Sequence, residues 1–295
     1  MPTRSRYRVA LHGSALLILA TAIALLVSQP RARAASTADE MLDVGGTRLH
    51  FRLTPGCGTT ILLEAGGGLD SSQWSALQQQ LSDATGAAVV SYDRAGFGAS
   101  DLPKGAFSLE DQVSWLHRGL LKLHVPPDTV LVSHSYGAFL TQLYVKSYAR
   151  SVKAVVLIDP NTVAFIDSIG GPQNIPVEIP ADMPRKQAQA TARMRDSMFE
   201  TLQAARQAPL PADIPVTVIA AGKSWMPSED WNRKFDAARK GIVNGFANRT
   251  LVVAEGSGHM ITQERPDIVL STVESVVKQV RSAGPSAGRC AHKSP

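Results

Sequence analysis

Short apolar runs alternate with longer amphipathic stretches along most of this chain of 295 residues. Each run is apolar or β-branched at nearly every position, which is the pattern of a strand buried on both faces of a parallel sheet. The runs are Thr60–Glu64, Ala88–Tyr92, Thr129–Ser133, Ala154–Ile158, Val216–Ala220 and Thr250–Ala254. This alternation predicts an α/β fold with a doubly wound, mostly parallel sheet and flanking helices.

The stretches between the runs have the length and the apolar spacing of helices. They are Ser71–Ala84, Ser108–Leu123, Ala138–Ala149, Ser228–Arg239 and Pro266–Arg281. Ser108 and Asp111 resemble a capping box, which marks the start of a helix. Ahead of the first run, Met41–Val44 and Arg48–Leu53 flank two glycines and predict a hairpin.

The alternation stops between Asn161 and Pro215, where a Gly/Pro-rich loop precedes a polar, helix-prone segment, Arg185–Gln207. We interpret residues 161–214 as a small cap insertion. A segment inserted after the carboxyl end of a strand lies over the edge where such sheets bind ligands. Apolar residues of this segment either line a substrate pocket or form the core of the cap itself. They are Met183, Met194, Met198 and Phe199.

The first 34 residues predict a secretory signal peptide. Arg4, Arg6 and Arg8 precede an uncharged, mostly apolar run, Ser14–Val27, and the small residues around Arg33 fit cleavage after Ala34. A retained N-terminal membrane anchor is the alternative, but the apolar run is shorter than the roughly 20 residues of a spanning helix. The sequence therefore predicts a secreted or periplasmic protein with one domain, residues 35–295.

Removal of the predicted signal peptide balances the charge of the chain. The whole sequence has 30 Lys and Arg residues against 25 Asp and Glu residues, and five of the arginines lie in residues 1–34. A near-neutral mature protein gives no support for nucleic acid or an anionic membrane surface as a partner.

Two cysteines, Cys57 and Cys290, both stand among turn-forming residues. Export would place them where disulfides persist, so a bond between them could tie the C-terminal tail to the edge of the domain. Two unpaired thiols are the alternative, which the sequence leaves open.

Ser135 lies where a predicted strand leads into a predicted helix, in the sequence Ser133-His134-Ser135-Tyr136-Gly137. A serine on a sharp strand-to-helix turn projects its hydroxyl from the sheet, and small residues two positions away on either side leave room for the strained backbone. Gly137 is one of these small residues, and Ser133 replaces the glycine that is usual at the other position.

Three motifs, in this order along the chain, resemble the α/β-hydrolase fold family. They are Asp93-Arg94-Ala95-Gly96-Phe97-Gly98-Ala99-Ser100, the turn at Ser135, and Gly256-Ser257-Gly258-His259 after the last run. The resemblance covers nearly all of the chain after residue 34. It implies that Ser135 is the nucleophile and His259 its general base, and that Asp93 and Arg94 have a structural role.

The sequence offers three candidates for the third member of a catalytic triad. Many members of the family carry an Asp shortly after the penultimate strand, but this chain has no acid in residues 222–225. Asp159, at the end of the preceding predicted strand, is favoured over Glu229 and Asp230 as the acid that orients His259. His134 points elsewhere than its neighbour Ser135 and is predicted to pack behind the turn.

An oxyanion hole needs two preorganised N–H donors. The resemblance assigns one to Tyr136, which follows the nucleophile, and the other to the glycine loop Ala65-Gly66-Gly67-Gly68, which follows the first parallel strand. Gly67 is the preferred donor in that loop and Gly68 the second choice. The glycines also allow the backbone to approach a substrate closely.

The resulting hypothesis is a serine hydrolase that cleaves a carboxylic ester or a related small-molecule acyl substrate through an acyl-enzyme at Ser135. The alternative is a non-catalytic member of the fold that acts as a ligand receptor or partner-binding module. No metal constellation and no dinucleotide fingerprint stand out, and the glycine loop lacks the lysine of a phosphate-binding loop, so no cofactor and no metal are predicted.

Overall fold

Eight strands form one sheet in the computed structural model, which describes residues 36–177, 179–284 and Cys290. The strands are β1 (Ala38–Asp43), β2 (Arg48–Thr54), β3 (Thr60–Glu64), β4 (Ala88–Tyr92), β5 (Thr129–His134), β6 (Val152–Ile158), β7 (Val216–Ala221) and β8 (Arg249–Ala254). Their order across the sheet is β1-β2-β4-β3-β5-β6-β7-β8. The predicted signal peptide lies outside the described residues.

The strands from β3 to β8 are parallel, whereas β1 and β2 form an antiparallel hairpin that pairs with β4 at one edge. The predicted α/β class with a mostly parallel sheet is therefore confirmed. The register pairs His134 at the end of β5 with Ile158 at the end of β6. Because the two strands run in the same direction, the next residues, Ser135 and Asp159, leave the sheet side by side.

The helices that flank the sheet follow the predicted alternation. They are α1 (Gln78–Thr85), α2 (Leu109–Lys122), α3 (Gly137–Tyr148), α4 (Val163–Ser168), α5 (Arg185–Asp196), α6 (Met198–Arg206), α7 (Glu229–Val243), α8 (Ile261–Glu264) and α9 (Pro266–Ser282). Ser108 caps α2 in the predicted capping box with Asp111. The continuous helix predicted from Ser71 to Ala84 is wrong, because a 3₁₀ turn capped by Asp70 precedes the shorter α1.

Alternate residues of the central strands build a separate core on each face of the sheet. Leu62 and Leu131 pack on one face with Phe139 of α3. Ile61 and Val130 pack on the other. This two-sided burial explains why the runs are apolar at nearly every position, since each face must exclude water.

The segment between β6 and β7 contains α4, α5 and α6 and lies against two loops at the carboxyl ends of the strands. Lys186 donates hydrogen bonds from Nζ to the carbonyl oxygens of Gly98 and Ser100, each over 2.8 Å. Gln187 donates from Nε2 to the carbonyl oxygen of Gly68 over 2.9 Å. These bonds place the N-terminal part of α5 over the loops that follow β3 and β4.

Cys57 and Cys290 are joined by a disulfide across a sequence separation of 233 residues. The bond fastens the C-terminal part of the chain beside the start of β3. Within the described residues, no helix combines the length and the hydropathy that a membrane span requires.

Candidate active site

Ser135 occupies the turn between β5 and α3 in a strained backbone conformation, with φ at 53°. Its N–H donates to the carbonyl oxygen of Ile158 over 3.0 Å, which ties the turn to the neighbouring strand. A Cβ on Gly137 would come within 2.8 Å of Glu64 Cγ and 2.9 Å of the Ala65 carbonyl oxygen. Glycine is therefore required two positions after the serine, because a side chain there would collide with β3.

The structure brings together the three side chains that the sequence singled out at the ends of β5, β6 and β8. His259 Nε2 lies 3.0 Å from Ser135 Oγ. His259 Nδ1 lies 2.7 Å from Asp159 Oδ2. Both distances are those of hydrogen bonds, so the imidazole connects the hydroxyl to the carboxylate.

Asp159 is completely buried, and its carboxylate accepts hydrogen bonds at both oxygens. Besides His259, the donors are the N–H of Ala221 at 3.0 Å, Trp225 Nε1 at 2.9 Å and Arg239 Nη1. Burial by itself raises the pKa of the Asp159 carboxyl, but the hydrogen bond from His259 and the charge of Arg239 outweigh it and bring the pKa below its ordinary value. The carboxylate is thus held in its ionised form.

The alternative acids lie away from this arrangement. Glu229 and Asp230 lie in the first turn of α7, where Asp230 is exposed and pairs with Arg233 and Lys234. Of the three acids considered, Asp159 is the one that reaches His259.

Trp225 and His134 hold His259 in position, the first at its ring and the second at its backbone. The Trp225 ring stacks on the His259 ring with their centroids 4.0 Å apart. His134 is buried and donates from Nε2 to the His259 carbonyl oxygen over 3.0 Å. Burial, followed by the proximity of His259, lowers the pKa of His134 to about 3, so this ring is neutral at physiological pH.

The glycine loop after β3 lies beside Tyr136. A Cβ placed on Gly67 would be 3.2 Å from Tyr136 Cβ and 3.3 Å from Met194 Cε, so the loop passes close to both residues. Within the described part of the chain, the N–H groups of Gly67 and Tyr136 donate to no protein acceptor. They remain available to a ligand. Gly68, the second choice, presents its carbonyl oxygen to Gln187.

A buried ion pair between Glu64 and Arg94 supports this loop from below. Arg94 Nη1 lies 2.5 Å from Glu64 Oε1, and the guanidinium also donates to the carbonyl oxygens of Ala65 at 2.7 Å and Gly66 at 2.5 Å. Asp93 accepts N–H groups from Ser71 and Ala99, each at 2.8 Å. Both charges of the Asp93-Arg94 pair therefore hold backbone, as their expected structural role requires.

A cavity of about 410 Å³ lies under α5, next to the serine turn. Its lining includes Phe97, Phe107, Tyr136, Ala190, Arg193 and Met194. Met198 does not line this cavity but is buried in the core, whereas Phe199 is 57% exposed. The prediction that these residues line a pocket or form a core therefore holds for Met198 and is wrong for Phe199. Phe199 faces solvent because it lies on the outer side of α6.

Sequence reasoning gave no role to Arg239 or Trp225, and it did not find the partner of Arg94. The signal for Arg239 is its position four residues after Phe235, which puts both on one face of α7. They are the two buried residues of that helix. A metal cluster of three or more His, Cys, Asp or Glu side chains does not occur among the residues with described positions.

The mostly parallel eight-stranded sheet and its flanking helices define the class of protein to which this chain belongs. The alpha/beta hydrolase family model matches residues 61–272, and the chain belongs to this family. The sequence is also 35% identical to the uncharacterized protein YqjL of Bacillus subtilis over 118 residues, which are 40% of this chain and 46% of that protein. The match thus spans less than half the length of this relative.

Solved structures with similar folds include enzymes that are named for different reactions. An esterase from Thermogutta terrifontis has a TM-score of 0.57 and 18% identity, over 83% of this chain and 99% of the esterase. The haloalkane dehalogenase DatA from Agrobacterium tumefaciens has a TM-score of 0.61 and 15% identity, over 83% and 97% of the two chains. At these identities the similarity establishes the fold and leaves the reaction to the residues of the site.

Proposed function

We propose that this chain is an exported serine hydrolase that cleaves a carboxylic ester or a related acyl compound, such as a lactone, through an acyl-enzyme at Ser135. One observation carries the proposal. His259 Nε2 lies 3.0 Å from Ser135 Oγ, while the opposite ring nitrogen lies 2.7 Å from the buried carboxylate of Asp159. A serine hydroxyl needs such a base to become a nucleophile at neutral pH.

In the acylation step, Ser135 Oγ attacks the carbonyl carbon of the substrate and His259 Nε2 takes the hydroxyl proton. Asp159 stabilises the imidazolium that forms and holds the ring in its orientation. The tetrahedral intermediate then collapses. Its bond to the leaving alcohol breaks, His259 returns the proton to the alcohol oxygen, and the acyl group remains on Ser135.

Deacylation repeats these steps with water as the nucleophile. His259 takes a proton from the water as it attacks the acyl-enzyme, and the proton then goes to Ser135 Oγ as the carboxylic acid leaves. In both steps, the N–H groups of Gly67 and Tyr136 are the proposed donors to the negative oxygen. Each such donor is worth about 3–4 kcal/mol of barrier in enzymes of this kind.

The lining of the cavity under α5 supports a substrate with an apolar part. Phe97, Phe107, Ala190 and Met194 contribute carbon surface there, beside the charged Lys104, Arg193 and Glu200, and Tyr136 is the residue of the serine turn that lines the cavity. The presence of a dehalogenase among proteins of similar fold does not extend to the chemistry, because branches of the family that break carbon–halogen or epoxide bonds use an Asp nucleophile where this chain has Ser135.

Export is supported by the N-terminal sequence and by the disulfide between Cys57 and Cys290. Disulfides persist in the periplasm and outside the cell, whereas the cytosol keeps thiols reduced. Secretion into the periplasm or the medium is therefore the proposed destination. Fractionation of cells that express the full chain tests this destination. The mass of the mature protein tests the cleavage after Ala34.

The test of the reaction combines labelling with turnover. A fluorophosphonate probe is expected to label the purified protein once per chain and to leave the Ser135→Ala variant unlabelled. A series of p-nitrophenyl esters of increasing acyl length is expected to be hydrolysed by the wild type, with loss of turnover in Ser135→Ala. The chain length with the highest kcat/KM then reports the size of the acyl pocket.

Folded protein that is neither labelled nor active would contradict the proposal. The receptor alternative then gains support if acyl compounds raise the melting temperature without being hydrolysed. The complete arrangement of Ser135, His259 and Asp159 weighs against that alternative, because binding alone does not require a base 3.0 Å from a serine hydroxyl.

A further inference from the structure

Arg239 is an almost fully buried arginine on α7, with only 5% of its surface exposed. Its guanidinium lies over the ring of Phe235, 4.6 Å from the centroid. Nη1 donates to Asp159 Oδ1 and Nη2 donates to Asp236 Oδ1. A buried guanidinium is unfavourable unless it is paired, so two carboxylates compensate for its removal from water.

The Asp159 carboxylate is shared between Arg239 and His259. Oδ1 accepts from Arg239 and from the N–H of Ala221, whereas Oδ2 accepts from His259 and from Trp225 Nε1. Each oxygen thus has two donors. Only one negative charge is available to Arg239 and to the imidazolium that forms at His259.

We propose that Arg239 is a positioning residue of the active site, which fixes the Asp159 carboxylate and limits how strongly that carboxylate attracts a proton to His259. The inference rests on the proposed function of Ser135, His259 and Asp159. It adds a fourth side chain, which touches neither substrate nor nucleophile and acts through Asp159.

The physical consequence is an electrostatic one: a positive charge behind Asp159 makes a second positive charge at His259 less favourable. Arg239 supplies that charge on the far side of the carboxylate. The charged and titratable groups at this cluster include Asp159, His259, Arg239, Asp236 and the neutral ring of His134, and Glu264 accepts the N–H of Gly258 beside His259 over 2.9 Å. Asp236 is half-exposed and partly neutralises Arg239, so it weakens the effect.

Two substitutions change the cluster in opposite directions. Arg239→Met removes the cation but keeps most of the buried side chain, so protonation of His259 becomes easier. The acidic limb of the kcat/KM profile is then expected to move to higher pH by about 0.5–1 pH unit. Asp236→Asn leaves Arg239 with Asp159 as its sole carboxylate partner, and the limb is expected to move to lower pH.

Two further variants serve as controls. Arg239→Lys keeps the charge and is expected to restore most of the wild-type position of the limb. Arg233→Met removes an exposed arginine from the same helix, where it pairs with Asp230, and is expected to leave the profile in place. Thermal unfolding of every variant identifies any that fails to fold. If Arg239→Met fails to fold, Asp236→Asn still tests the proposal, because Asp236 lies at a half-exposed position.

The pH at which the His259 ring titrates, followed by NMR, gives a second readout that needs no turnover. Opposite shifts in Arg239→Met and Asp236→Asn support the proposal. A uniform loss of kcat/KM at every pH, with an unmoved His259 titration, would overturn it and leave Arg239 a purely structural role. Failure of the proposed function has a different signature, since the wild type would then lack fluorophosphonate labelling at Ser135.

Discussion

Two neighbouring imidazoles at the candidate active site have different properties because their surroundings differ. His134 and His259 have ring centroids 4.6 Å apart. His134 is fully enclosed and is kept neutral by burial, so it can donate to the His259 backbone without adding a charge. His259 is partly open to solvent and faces a carboxylate. The environment of each ring, rather than the residue type, assigns the structural and the chemical role.

At the residue scale, Asp159→Asn is expected to lower kcat by about 10³–10⁴-fold. An amide in place of the carboxylate favours the wrong tautomer of the histidine and gives no charge to stabilise the imidazolium. Steady-state kinetics on the best p-nitrophenyl ester measures the loss. Asp230→Asn is the matched control, because this exposed acid pairs only with side chains of its own helix. A larger loss in Asp230→Asn than in Asp159→Asn would show that the acid has been assigned wrongly.

At the scale of elements, the site depends on how the ends of β3 and β4 are joined. Glu64 ends β3, and Arg94 follows β4 and donates to the two carbonyl groups that come directly after Glu64. Tyr92, the last residue of β4, donates its hydroxyl to the same carboxylate. Burial raises the pKa of Glu64, and Arg94 opposes that rise. The loop that carries Gly67 is therefore braced by a pair of charges that depend on each other.

Removal of one member of this pair is expected to cost more than removal of both. Arg94→Met leaves a buried carboxyl without its cation and should lower the free energy of unfolding by about 3–5 kcal/mol. The double variant Glu64→Gln, Arg94→Met should recover part of that loss, with a coupling energy of about 0.5–3 kcal/mol. Urea unfolding of the four proteins closes the cycle. Additive losses would indicate that the two side chains stabilise the loop independently.

The same elements show what the sequence could predict. The parallel strands were predicted to within a residue or two, because burial on both faces leaves a continuous apolar run. The order of the strands was not, since buried strands resemble one another and their pairing depends on contacts distant in sequence. The helix that was predicted to begin at Ser71 is split, because the side chain of Asp70 caps a separate 3₁₀ turn there.

The residues of the candidate site likewise differ in how far the sequence could predict them. Ser135 and His259 were predictable because each occupies a fixed place after a strand. Asp159 was predicted only as the favoured acid among three, and the register of β5 with β6 explains its position beside Ser135. Arg239 was missed because an arginine in an amphipathic helix ordinarily faces water, and its burial depends on a carboxylate 80 residues away in sequence.

At the scale of the whole molecule, His134 couples acidity to the stability of the fold. Its pKa in the folded protein is about 3, below the ordinary value of 6.5, so between these pH values the unfolded chain binds a proton that the folded chain does not. The free energy of unfolding should therefore fall as the pH falls from about 6.5, with a slope of at most about 1.4 kcal/mol per pH unit from this residue.

Urea unfolding between pH 6.5 and 5 measures this slope before the carboxylates with lowered pKa values begin to titrate. The His134→Gln variant keeps a donor of similar reach and loses the titrating ring, so its stability should vary less with pH over the same range. His117, whose pKa burial also lowers, contributes equally to both proteins. Identical slopes in the two proteins would mean that His134 takes up its proton in the folded state.

The disulfide makes a closed covalent ring of the chain between Cys57 and Cys290. All strands from β3 to β8, and every residue assigned to the site, belong to that ring. Hydrolysis of a single peptide bond inside a ring opens it without releasing a fragment. A protease that nicks the exposed surface of α6 would therefore leave two polypeptides that migrate together in a gel without reductant and separate only after reduction, so one cut need not separate the residues of the candidate site.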